Sequence, residues 1–269
     1  MGRCACFTIV RDEPFFLPRW HKHYTRAFDN GDLHLLHHVT SEAEEADGEF
    51  AKAIALFANV SRLVNADFDP AWLREVVTEK LSSLLEQYEA VLFAEVDELL
   101  VAPLLLNGGG GLRAYIDRFL DSCDESGMPL KSIRCVGYEL HHEFPREPAL
   151  DVCRPIAPQR GRWHRNALYD KALLTRAPLH WSIGFHTCEE AVAQDEAGLV
   201  LVHLHKVDFQ MYVERHQARA KFKHSDEAIA NGWNKHYRSE GPALMQQYMS
   251  LPAPLEAIPE WVQEALGEV

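Results

Sequence analysis

The sequence predicts an α/β protein built as a three-layer sandwich around a mainly parallel sheet. Three observations lead there. Apolar runs of strand length alternate with segments of helical spacing along most of the chain. One helix carries a full start signal and leads directly into an apolar run. That run, Ala90 to Val101, holds Glu95, Asp97 and Glu98 close together, and ligands of such sheets sit where the strands end.

Element by element, Cys4 to Val10 is an apolar run ending in Arg11-Asp12-Glu13-Pro14, so a first strand enters a polar loop there. Phe15 to Ala27 follows as a helix, with Trp20 and Tyr24 one turn apart. The Asn30-Gly31 turn introduces a second strand over Asp32 to Val39. Glu42 to Asn65 reads as largely helical after an acidic start. The clearest helix spans Ala71 to Tyr88, with Asp69 as N-cap and Pro70 at the first helical position. Its residues Trp72, Leu73, Val76, Val77, Leu81, Leu84, Leu85 and Tyr88 recur at helical spacing.

The acidic strand comes next, then Pro103 and the run Gly108-Gly109-Gly110-Gly111. The glycines read as a flexible loop, because no Gly-Lys-Ser/Thr follows to cradle a phosphate. A helix over Leu112 to Leu120 and strands over Ser132 to Leu140, Trp181 to His186 and Leu199 to Val207 complete the alternation. The rest is helical and polar and closes in an acidic tail with Pro252, Pro254 and Pro259. The expected organisation is a single domain over 1–269, with residues from about 215 forming a helical C-terminal extension.

Composition narrows the function. With 47% hydrophobic and 25% charged residues the chain can bury a substantial core. Its net charge of -13 argues against general binding to nucleic acid or anionic membrane. Any anionic ligand must then be met by a local cation cluster or a metal. The cysteines Cys4, Cys6, Cys123, Cys135, Cys153 and Cys188 form no C-x-x-C pair and read as reduced thiols. There is no signal-like apolar segment and no apolar run of membrane-spanning length, so a cytoplasmic, soluble protein is expected.

Carboxylates are rarely buried without partners, so the acidic cluster belongs where its strand opens onto a cleft. If the strand stays extended, Glu95 and Asp97 share one face and offer hard oxygen donors to Mg²⁺ or Mn²⁺. The alternative is a strand end with a solvated acidic turn. Downstream stand Lys171, Arg176 and His186, then His203 and His205 on one face of an apolar strand. Taken singly, each also reads as a surface charge or a hydrogen-bonded core histidine.

As an ordered set these blocks resemble the family 2-like glycosyltransferases of the GT-A fold, especially the group related to family 92. The blocks are Arg11-Asp12-Glu13, Trp20-His21-Lys22-His23, Glu95-Val96-Asp97-Glu98-Leu99, Lys171, Gly184-Phe185-His186 and His203-Leu204-His205, over residues 3 to 215. Glu95 stands where the family has its first Asp, and His37-His38-Val39-Thr40-Ser41-Glu42 replaces the usual Asp-rich loop.

The resemblance implies a GT-A, Rossmann-like three-layer sandwich with a mixed, mainly parallel central sheet. It also implies transfer of a sugar, with inversion, from a UDP- or GDP-sugar to a hydroxyl acceptor such as a glycan. Asp97, Glu95 and His186 would hold Mn²⁺ or Mg²⁺, which neutralises the leaving diphosphate. Lys171 and Arg176 would clamp phosphate oxygens. Arg11, Asp12 and Glu13 would hold the base and ribose. A general base must take the acceptor proton, and Glu139 and Glu143 are the candidates, with Asp151 and Asp170 open. The basic stretch Arg215 to His224 is either a solvated helix face or a border of the donor site or of an anionic acceptor.

Two other classes compete. One is a degenerate GT-A domain that binds a nucleotide or a partner without turnover. The other is a metallohydrolase using His141, His142, Glu143, His186, His203 and His205, against which stands the lack of His-Glu-x-x-His.

Overall fold

The chain begins in the middle of a sheet. Along β1 (Gly2–Val10), Ala5, Cys6, Phe7 and Thr8 have no exposed surface, as befits a strand covered on both faces. α1 (Phe16–Tyr24) lays Phe16, Leu17, Trp20 and Tyr24 on the core, and β2 (Leu33–Val39) pairs parallel to β1. The computed structural model describes residues 2–103, 111–123, 127–190, 192–194, 198–267 and 269, so Gly108-Gly109-Gly110 lie outside the described residues.

The Glu42 to Asn65 stretch departs from the helical expectation. Only α2 (Gly48–Ile54) is helical, and β3 (Asn59–Val64) follows as an edge strand parallel to β2. β3 alternates half-buried and exposed residues, a period of two that suits the open edge of β2 and no helix face.

α3 (Pro70–Leu85) starts as predicted. The Asp69 carboxylate accepts hydrogen bonds from the Ala71 and Trp72 amides at 2.8 and 3.3 Å. It ends sooner than expected, because Tyr88 already opens β4 (Tyr88–Phe93).

The predicted acidic strand is two strands in two sheets. β4 pairs parallel to β1, whereas β5 (Glu98–Val101) pairs antiparallel to a later strand. Between them the Glu98 amide donates to the Glu95 carbonyl at 2.9 Å. The Glu98 carboxylate accepts from the Glu95 amide at 3.0 Å, so the acidic side chains themselves stabilise the turn.

α4 (Gly111–Asp121) matches its expected helix. The strand expected over Ser132 to Leu140 also changes sheets, giving β6 (Ser132–Arg134) and β7 (Val136–Leu140). β8 (Arg162–Arg165), β9 (Ala172–Thr175) and β10 (Ala193–Gln194) are short strands that periodicity did not reveal.

Trp181 to His186 is a turn instead of a strand. Gly184 and Phe185 take φ of 79° and 61°, the left-handed region that a strand excludes. β11 (Val200–His203) ends earlier than Val207, so His205 lies in the turn that follows it.

α5 (Phe209–Ala220), α6 (Asp226–Ala230), α7 (Gly241–Met249), β12 (Glu256–Ala257) and α8 (Glu260–Leu266) complete the chain. The helical character expected from about 215 therefore begins earlier, at Phe209.

The first sheet runs β10-β6-β9-β4-β1-β2-β3 and is parallel apart from β9, which is antiparallel to both neighbours. The second runs β12-β8-β7-β11-β5. The mixed, mainly parallel first sheet with helices around it agrees with the α/β class that was expected. Among the described residues, no helix is long and apolar enough to cross a membrane.

Candidate active site

The Glu95–Glu98 turn leaves the carboxyl end of β4 and forms part of the lining of a cleft of about 750 Å³. In a parallel sheet, strand ends face the open side where loops gather, which places ligands there. Glu95, Asp97, Glu139, Lys171, His186, His203 and His205 all line this cleft. A smaller pocket of about 170 Å³ shares Glu95 and Asp97 and adds Arg11, Asp12, Glu13 and Arg215.

Lys171 is a fully buried charge. Its Nζ lies 2.5 Å from Glu95 and 2.6 Å from Glu98. Burial pulls the ammonium pKa down, but Glu95 and Glu98 together hold it above its ordinary value. Lys171 therefore fixes the acidic turn from below.

Asp97 is 6% exposed, and Arg215 Nη1 donates to it at 2.9 Å. His203 and His205 approach the same oxygen at 3.8 and 3.7 Å. Burial opposes the ionised carboxylate, yet Arg215, His203 and His205 hold its pKa well below the usual range. Arg215 also donates to Glu13 at 2.8 Å, and Arg219, one helical turn on, donates to Glu13 at 2.9 Å. One face of α5 thereby ties the β1 loop to the acidic turn.

Glu139 is enclosed. His203 Nδ1 lies 3.0 Å from one of its oxygens, and the Tyr169 hydroxyl donates to the other at 3.0 Å. The Lys206 amide adds a third bond at 3.2 Å. Burial alone would raise this carboxyl, but the His203 charge and hydrogen bond bring it down to about 2. Its oxygens are engaged by protein donors, which places Glu139 to orient His203.

His186 sits on the strained turn. Its Nδ1 lies 2.8 Å from the Leu168 carbonyl, which can only accept, so Nδ1 carries the proton and Nε2 keeps a lone pair. Phe185 packs on Phe93 with ring centroids 4.9 Å apart, which anchors the turn to the end of β4. Burial and the Lys171 charge keep this imidazole below its ordinary pKa.

Several expected residues lie elsewhere. Arg176 lines neither pocket: just past the end of β9, its guanidinium donates to the Leu120 carbonyl of α4 at 2.9 Å. Glu143 is also outside, beside Arg146 and Arg162 at 3.9 and 3.7 Å. Asp170 pairs with Arg165 at 2.5 Å, and Asp151 is exposed in a loop that binds Gln159. His141 and His142 do not line the cleft, so the histidines of the hydrolase reading are not brought together.

The expected metal donors do not form a ready cage. Among the described residues, no group of three or more His, Cys, Asp or Glu side chains converges in a metal-holding arrangement. Glu95 and Asp97 face Lys171 and Arg215 instead, and a bare divalent ion would have to displace those cations.

Sequence reasoning read the stretch holding Arg215 and Arg219 as either a solvated helix face or a border of the donor site without separating the two arginines from it, and it gave Tyr169 no role. The signal for the arginines was present in the i, i+4 spacing within the basic stretch.

Neither a family model nor a curated protein matches the chain. Among solved structures it is similar to S. aureus TarS at 12% identity and a TM-score of 0.33, covering 93% of this chain and 46% of that one. A shorter TarS structure gives 12% identity and a TM-score of 0.34, over 91% of this chain and 77% of that one. An active-site mutant of LgtC gives 14% identity and a TM-score of 0.28, over 93% and 85%. The chain thus spans about half the length of the longer TarS structure. Overlaps this low support no statement about activity.

Proposed function

We propose that the protein is a glycosyltransferase that moves a sugar from a UDP- or GDP-sugar to a hydroxyl acceptor, with inversion. The observation that carries this reading is the acidic turn Glu95–Glu98 at the end of β4, held between Lys171 and Arg215 in the lining of a large cleft. The resemblance of the ordered motifs to the family 2-like and family 92-related enzymes supports it.

In this reading the nucleoside occupies the smaller pocket beside Arg11, Asp12 and Glu13, where Arg11 lies 4.0 Å over the Phe222 ring. The diphosphate lies toward Arg219 and the acidic turn, with guanidinium donors at its oxygens. Transfer forms a bond between the acceptor oxygen and the anomeric carbon. The bond from that carbon to the diphosphate breaks, and its electron pair leaves on the nucleotide. His203, held through Nδ1 by Glu139, presents Nε2 to the acceptor proton. Mn²⁺ or Mg²⁺, if bound beside the donor at Asp97 and Glu95, would supply positive charge to offset the leaving diphosphate.

A thermal-shift panel tests this. UDP or GDP with Mn²⁺ is expected to raise Tm, Mn²⁺ alone is not, and Asp97→Asn is expected to lose the nucleotide response. If no nucleoside diphosphate moves Tm with or without Mn²⁺, the reading fails. The Arg215–Asp97 ion pair favours one second reading, a domain that binds the nucleotide without turnover. A nucleotide response with no release of UDP or GDP from any nucleotide sugar would select it.

A further inference from the structure

The cleft lining divides by chemistry. The sheet ends, Lys206 and Arg219 near the end of α5 contribute the charges, whereas the segment between α6 and β12 contributes Asn234, His236, Tyr237, Gln246, Gln247 and Ser250. That segment is not short of charge. Lys235, Arg238 and Glu240 are interleaved with these residues, yet none of the three lines the cleft.

The neighbouring charge is also spent. Lys206 lines the cleft, but its Nζ donates to the carbonyls of Gln247, Tyr248 and Ser250 at 3.2, 2.9 and 2.9 Å. Burial, reinforced by Arg219 and His186, pushes the His236 imidazole down to about 4 and keeps it neutral at physiological pH. Asn234 holds a left-handed backbone with φ of 57°, and its buried Nδ2 has no protein partner.

A wall of this kind has a defined complement. Each side-chain amide offers a donor and an acceptor side by side, which suits adjacent hydroxyls. The Tyr237 ring offers an apolar face whose hydroxyl is already occupied by Arg219 at 2.6 Å. An anionic ligand would find no uncommitted cation there, and desolvating its charge would go uncompensated.

We propose that this segment is the acceptor subsite and that its ligand is an uncharged carbohydrate, not a phosphorylated or carboxylated one. The proposal rests on the glycosyl-transfer reading of the cleft.

The test is calorimetric titration of the full chain, with and without UDP. The neutral probes are maltose and N,N′-diacetylchitobiose, and the anionic probes are glucose 6-phosphate and glucuronic acid. At least one neutral disaccharide is expected to bind. The paired change Gln246→Ala and Gln247→Ala is expected to weaken it about tenfold, with UDP affinity unchanged. Asn234→Gly, which tolerates the same backbone, is expected to weaken it as well.

Tighter binding of an anionic probe overturns the proposal. So does absence of neutral binding, or neutral binding that neither variant alters. If UDP fails to bind while amide-dependent disaccharide binding persists, the donor reading and the acceptor role fall together, and only the preference of this wall for uncharged carbohydrate stands.

Discussion

Glu139, expected as a candidate base, lines the cleft with its carboxylate already engaged by protein donors. Its proximity to other chemistry-bearing residues suggested a base, but its carboxylate is buried and committed to His203, Tyr169 and the Lys206 amide. The pH dependence follows from both partners. The Glu139 pKa is depressed to about 2 from 4.5, so its contribution to stability is present above 4.5 and fades as pH falls toward about 2. Burial lowers His203, but Glu139 and Asp97 raise it above 6.5, so its contribution is full below 6.5 and fades as pH rises through the raised value. Glu139→Gln is therefore expected to cost about 3 kcal/mol, because it leaves His203 without its countercharge. Urea unfolding across pH checks this. The difference from the parent chain should be largest between 4.5 and 6.5 and shrink on either side. A difference independent of pH would show that the pair is not electrostatically linked.

At the scale of elements, β7 supports the site through its lack of a side chain at one position. A Cβ at Gly137 would run into the Cβ and backbone of Tyr169, whose hydroxyl holds Glu139. Gly137→Ala is expected to destabilise the fold by about 3 kcal/mol through overpacking and to weaken nucleotide binding by shifting Tyr169. Denaturant unfolding and the nucleotide thermal shift measure the two effects, and an unperturbed variant would show that Tyr169 has room to move. Elements with local signals were legible in the sequence: α3 begins where Asp69 and Pro70 mark it, and β1 is a mostly apolar run from Cys4 to Val10. β3 was not, because an edge strand buries little and its short alternation competes with an adjacent helix for the same residues.

At the scale of the whole molecule, the main apolar core runs from Cys4 to Val269 and takes in residues of both sheets, and a smaller cluster of Tyr212, Leu244 and Tyr248 joins α5 to α7. The C-terminal end is tied to the beginning of the fold, since Arg26 donates to the Ala265 carbonyl at 2.5 Å. Among the described residues the chain passes between the two sheets five times, between β4 and β5, β5 and β6, β6 and β7, β8 and β9, and β10 and β11, which leaves no place to separate them without cutting the core. We propose on this basis that residues 1–269 unfold as one domain. Thermal unfolding followed by far-UV circular dichroism and by tryptophan fluorescence is expected to give one coincident transition. Two separated transitions would divide the chain into independent units.

By itself the sequence determined the α/β alternation, the start of α3 and the presence of a carboxylate cluster near the end of a buried strand. These are local properties, set by residue spacing within a few turns or one strand. It also marked Lys171, His186 and His203, which do reach the cleft. Tertiary structure alone decided which cations meet which carboxylates. Arg215 lies 118 residues from Asp97 and pairs with it, while Arg176, nearer in sequence to Lys171, points to the Leu120 carbonyl. An ion pair of that kind is fixed by how α5 packs over the ends of β1 and β4, and no short-range pattern encodes that packing.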